Sequence, residues 1–113
     1  MNEMRRQLED VLREYGQELT VIRKENGGET AVRAFFQPIL KDREEPPVTA
    51  TPLGAVNDQR WLYIGPAALE LEPGDKIRFQ GDQFVAQEAM TICFRWEALY
   101  GRAILRQEKE TAQ

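Results

Sequence analysis

Three pairs of carboxylates, Glu44-Glu45, Glu70/Glu72 and Glu108/Glu110, are the side chains whose spacing comes nearest to a reactive site. Two acids held together can do acid–base work or bind Mg²⁺. The residue types that would complete such a site are missing. The 113 residues include no histidine and no serine. Ser-His-Asp and Cys-His constellations are therefore excluded within this chain. Cys93 is the single cysteine, so neither a His-containing nor a Cys₄ zinc site can be built, and no intrachain disulfide can form. Neither a GxxxxGKS/T nor a GxGxxG loop is present to cradle a phosphate. Each acid pair falls in a segment read as loop or tail, where solvated charge is the simpler account. No catalytic, cofactor-binding or metal-ligating residue is assigned, and the expectation is a non-enzymatic protein.

The elements that would hold any site follow from composition and pattern. The chain is 42 % hydrophobic and 30 % charged, which suits one globular domain with a modest core. Lys and Arg number 15 against 19 Asp and Glu, a net charge of −4, which argues against a nucleic-acid binder with a basic stripe. Apolar runs are too short to span a membrane. The N-terminal MNEMRRQLED has no apolar signal core, so export is not expected, and a lone cysteine suits a reducing compartment.

Residues 1–16 read as one amphipathic helix. Met4, Leu8, Val11, Leu12 and Tyr15 form a stripe at helical spacing, Asn2 is the expected N-cap, and Gly16 is the expected stop. A pair such as Glu9–Arg13 is expected on the wet face. Residues 18–39 form a first hairpin around Asn26-Gly27-Gly28, with Val32, Ala34 and Phe36 on one face and Phe35 on the other. Residues 41–58 are expected to be a mobile, proline-rich loop containing Pro46-Pro47, which cannot sit in a central strand. Arg60 to Ile64 is a strand ended by Gly65-Pro66. Lys76–Phe79 and Phe84–Gln87 pair across a Gln80-Gly81-Asp82-Gln83 turn, entered through Pro73-Gly74-Asp75. Met90–Phe94 and Leu99–Leu105 pair across Arg95-Trp96-Glu97, in preference to one long strand, and residues 107–113 are a frayed tail. The expected fold is mainly β: a small barrel or sandwich of about six to seven short antiparallel strands with one N-terminal helix, in a single domain.

Several of these turns also carry a resemblance. Tyr63-Ile64-Gly65-Pro66, Leu71-Glu72-Pro73-Gly74-Asp75, the Gly81 hairpin leading to Phe84-Val85, and Ala103-Ile104-Leu105-Arg106 follow one another in order. In this layout the chain resembles the small head–tail joining (head-closure, or connector) proteins of tailed phages and prophages of Gram-positive bacteria. The likeness runs from about Leu19 onward and is structural in kind. The Arg95-Trp96 turn departs from it by lacking a glycine. The resemblance implies a virion part made in the bacterial host cytoplasm and carried into the virion. It would assemble as a ring below the portal, with portal or adaptor and tail proteins as partners. It implies no cofactor, no membrane and no sequence-specific nucleic acid. The competing class is a stand-alone OB- or SH3-like barrel that binds a protein or single-stranded nucleic acid.

Partner contacts are expected at two places. Arg43, Glu44, Glu45, Pro46 and Pro47 lie in the loop that lacks buriable apolar positions. Arg95 and Trp96 form a hairpin tip with the composition of an interface anchor. The plainer reading makes the loop a connector and puts both Trp61 and Trp96 in the core.

Overall fold

A computed structural model of the chain describes residues 3–39 and 59–108. Helix α1 (Glu3–Tyr15) precedes β1 (Gln17–Ile22), β2 (Glu29–Pro38), β3 (Arg60–Pro66), β4 (Lys76–Phe79), β5 (Asp82–Phe94) and β6 (Glu97–Gln107). The strands close a barrel in the order β1-β2-β3-β6-β5-β4, and every pairing is antiparallel.

Alternation along each strand fills the interior. Leu19 and Val21, Val32, Ala34 and Phe36, Tyr63, Ile77, Phe84 and Ala86, and Ala103 and Leu105 all point inward and form one buried cluster with Leu71. Phe36 anchors it: its ring stacks on Trp61 at 5.0 Å and meets Phe84 and Phe79 edge-on. Burying each such side chain contributes roughly 1.5–3 kcal/mol.

The described residues hold six strands, because the segments 84–87 and 90–94 are one strand. A bulge between Ala86 and Glu88 joins them. Without the extra residue, strict alternation after Phe84 and Ala86 would turn Glu88 inward. With it, Ala89 packs on the core while Gln87 and Glu88 stay in water.

β3 also runs past its expected end. Gly65 and Pro66 pair with Gly101 and Tyr100 of β6. Pairing of β3 with β2 stops at Ile64, so the proline sits where no second neighbour needs its missing N–H.

The helix packs on the outside of the barrel, against β2, β3 and β6. Their outward positions carry Phe35, Leu62, Ile64 and Ile104. Leu12 is buried and Leu8 half-buried, whereas Val11 and Tyr15 are exposed, so the stripe is covered on one side only. Arg5 pairs with Glu9, and Arg13 with Asp10, in place of the expected Glu9–Arg13 pair. Arg13 lies close enough to Asp10, one turn back, to satisfy its guanidinium there. Gly16 does end the helix, but through close approach: a Cβ there would strike the Leu12 carbonyl and the Ala34 amide. Asn2 and residues 40–58 and 109–113, which include the proline-rich segment and most of the tail, lie outside the described residues.

Candidate functional site

The paired carboxylates are bound into the scaffold where they are described. The Glu70 carboxylate accepts a hydrogen bond from the Thr91 hydroxyl at 3.1 Å. The neighbouring Glu72 faces Lys24 at 3.9 Å, and Glu108 pairs with Lys76 at 3.1 Å. Among the described residues no three His, Cys, Asp or Glu side chains come together to hold a metal ion. The dimple lined by Glu88, Ala89, Met90, Arg102, Ala103 and Ile104 has a volume of about 30 Å³, room for water and little else.

One carboxylate does have a specialised setting. Asp75 is almost fully buried at the entrance to β4. Its Oδ1 accepts the Lys24 amide at 3.0 Å, and its Oδ2 accepts the Glu72 amide and the Arg23 guanidinium, both at 2.8 Å. Burial by itself would raise its pKa. The two amides and Arg23 outweigh that and hold the carboxyl below the usual range. Arg23 also donates to the Glu70 carbonyl at 2.5 Å, and Lys24 Nζ to the Pro73 carbonyl at 2.7 Å. The Pro73-Gly74-Asp75 turn is thereby fastened to the end of β1. Gly74 takes a φ of 98°, which only glycine adopts without strain. The sequence marks this turn, but a reader of the chain has no signal that Arg23 and Lys24 are its partners.

The Tyr63-Ile64-Gly65-Pro66 motif has a packing reason. Tyr63 and Gly65 are two apart and so share the inner face, and any Cβ on Gly65 would overlap the Tyr63 hydroxyl and ring. The ring is fully buried and its hydroxyl has no hydrogen-bond partner, so burial pushes its pKa up to about 12, with Arg23 pulling slightly the other way.

The surface left over for recognition lies along β5 and β6. Both strands outrun their neighbours. β4 pairs with β5 only up to Val85, and β3 pairs with β6 only from Tyr100 on. The intervening hairpin projects as a two-stranded arm whose loop is Arg95-Trp96, with Phe94 paired to Glu97. The hairpin reading of this region holds, and the turn is one residue tighter than expected. Arg95 occupies a φ of 59°, so the glycine missing from the sequence is missing from a position that favours one. Its guanidinium lies 5.4 Å from the centre of the Phe94 ring. Trp96 is 95 % exposed, with Phe94 and Met90 exposed behind it. The two tryptophans therefore part company: Trp61 belongs to the core edge, and Trp96 touches almost nothing. Arg43, Glu44, Glu45, Pro46 and Pro47, the other expected contact region, lie outside the described residues.

No protein-family model matches the chain, and no curated protein matches it in sequence.

Proposed function

We propose that the protein is a non-enzymatic virion morphogenesis component, part of a phage or prophage head–tail connector that closes the head below the portal and docks the tail. Its working surface is the arm tip at Arg95-Trp96, joined by Arg43 to Pro47. The observation that carries this reading is Trp96: a large aromatic held 95 % exposed on a two-residue turn that sets Arg95 at positive φ. Exposing an indole to water is unfavourable for a free subunit, and strain retained at a loop points toward use. Rigid aromatics presented this way serve as anchors in protein interfaces. The sequence motifs shared with connector proteins supply the identity of the partners, and the described structure accounts for those motifs as turn and packing requirements of the barrel.

The test is joining of heads to tails in a complementation assay with Trp96→Ala. Truncating the anchor removes about 2 kcal/mol of binding or more, enough to abolish joining, while the melt stays within about 0.5 kcal/mol of the parent. Normal joining by a folded Trp96→Ala protein overturns the assignment of the tip. A tight response of Trp96 fluorescence to single-stranded DNA favours the binding-module reading instead.

A further inference from the structure

The arm carries a second feature that Trp96 does not explain. From Glu88 to Phe94, β5 is paired on one side only among the described residues. β4 has ended at the register of Val85, and the Gly74 and Asp75 backbone extends that pairing no further than Ala86. The opposite edge of β5 therefore presents unpaired N–H and C=O groups along Glu88, Ala89, Met90, Thr91, Ile92, Cys93 and Phe94. Proteins ordinarily blunt such an edge with lysine, proline or inward-pointing charge. This stretch has no lysine, proline or charge after Glu88, although 30 % of the chain is charged, and what shapes it is the bulge at its start, between Ala86 and Glu88, and a register shift between Ile92 and Cys93. It is rich in residues that suit a strand, and Met90 and Phe94 stand 54 % and 45 % exposed.

We propose that this edge pairs antiparallel with the same edge of a second copy of the chain, about a two-fold axis at Thr91. Side chains alternate between faces, so two edges join only in registers that set like faces together. Centring on Thr91 uses the whole free stretch. Centring on Met90 would run into Ala86, whose edge the turn before β4 already occupies. With the axis at Thr91, Met90 lies opposite Ile92 of the second copy, and Ala89 opposite Cys93. Glu88 falls opposite Phe94, the ring that Arg95 covers. Each end of the paired segment thus sets a carboxylate beside a guanidinium, and no like charges face each other between them. Between Glu88 and Arg95 the edge carries no charge that would select a foreign strand. The complement to Glu88 and Arg95 that the geometry does specify is the chain itself, and an isologous contact of this kind closes at two subunits. This inference does not depend on the connector reading.

Analytical ultracentrifugation over a roughly hundredfold concentration series tests it. The wild-type protein is expected to move from monomer to dimer. Met90→Lys alters an exposed side chain outside the core and places an ammonium against the apolar Ile92 of the second copy. It should raise the dimer dissociation constant about tenfold or more. A thermal melt confirms that the variant is folded. In a Cys93→Ala background, Thr91→Cys puts one thiol from each copy at the axis, so mild oxidation should give a disulfide-linked dimer. A Gln83→Cys protein in the same background, with its thiol on the β4-paired part of the strand, should not cross-link. A wild-type protein that stays monomeric throughout overturns the proposal. So does a dimer that Met90→Lys leaves unchanged, equal cross-linking at positions 83 and 91, or a closed species larger than two.

Discussion

Replacing Asp75 with asparagine removes a charge that the surrounding structure is built to receive. The side chain is 3 % exposed and accepts three hydrogen bonds, two of them from the backbone amides of Lys24 and Glu72. An asparagine oxygen can keep one amide, but its NH₂ then faces the remaining donors. Each buried N–H left without an acceptor costs roughly 1–3 kcal/mol. Arg23 is 29 % exposed and keeps the Glu70 carbonyl, so part of its lost pairing returns as hydration. The sum is about 3–5 kcal/mol, a large share of the roughly 5–15 kcal/mol available to a domain. At about 4–8 °C per kcal/mol for a domain of this size, the melting temperature should fall by more than about 10 °C. Urea unfolding should show a lower midpoint with an unchanged slope.

The pH dependence supplies an independent check. Because the folded carboxyl titrates below its unfolded value, its stabilisation is fully present above the unfolded pKa, about 4, and is lost as pH falls through the folded one. The gap between parent and Asp75→Asn should therefore be widest near neutrality and shrink on acidification below about pH 4. A variant that melts within about 1 kcal/mol of the parent at pH 7 would refute the claim that this turn is held by Asp75. A gap that is constant with pH would refute the assignment of the charge.

Three further outcomes are expected. Tyr63→Phe should be neutral or slightly stabilising, because the deleted hydroxyl is buried without a partner; with a folded pKa of about 12, the parent should also lose stability as pH rises above about 10, and the variant should lose less, as alkaline melts will show. Gly81→Val should cost roughly 1–3 kcal/mol in a thermal melt, through its φ of 87° alone, since no atom lies within 4 Å of the place a Cβ would take. Deleting residues 44–49 should leave the melt near the parent's and abolish head–tail joining, and normal joining would remove Arg43 to Pro47 from the proposed surface.

The barrel was legible because its inner face keeps strict period two. Leu19 and Val21, Val32, Ala34 and Phe36, and Ile77 announce their side of the sheet without any knowledge of partners. Turn chemistry was nearly as plain. Gln80-Gly81 carries φ values of 52° and 87°, the pair that a two-residue hairpin loop demands and that a glycine signals. Reading failed where the decisive neighbour is distant in sequence. Segments 84–87 and 90–94 read as two strands because a bulge breaks the alternation between them, and only the need to keep Glu88 out of the core explains why the chain continues. Pro66 looked like an end because a proline is excluded only where both neighbours require its N–H, and the early end of the β2 pairing is a long-range fact. The Arg95-Trp96 turn was read without a glycine to mark it, and what the sequence did not show is the positive φ of Arg95 and a loop one residue shorter than expected.

Of the residues that first suggest chemistry, the described ones, Glu70, Glu72 and Glu108, each meet a neighbouring side chain. A carboxylate that accepts a hydrogen bond from a distant segment fastens the two segments together. Asp75 with Arg23, Glu70 with Thr91 and Glu108 with Lys76 each tie a turn or a strand end to a neighbouring element. The barrel interior is filled by its own packed side chains, and the dimple beside Glu88 and Arg102 is water-sized. What the fold does not consume is the arm. Its strands outrun the barrel, its edge is unpaired, and its tip exposes an indole. The edge pairing and the tip contact proposed above both draw on this arm, one through the backbone of β5 and the other through the Trp96 indole.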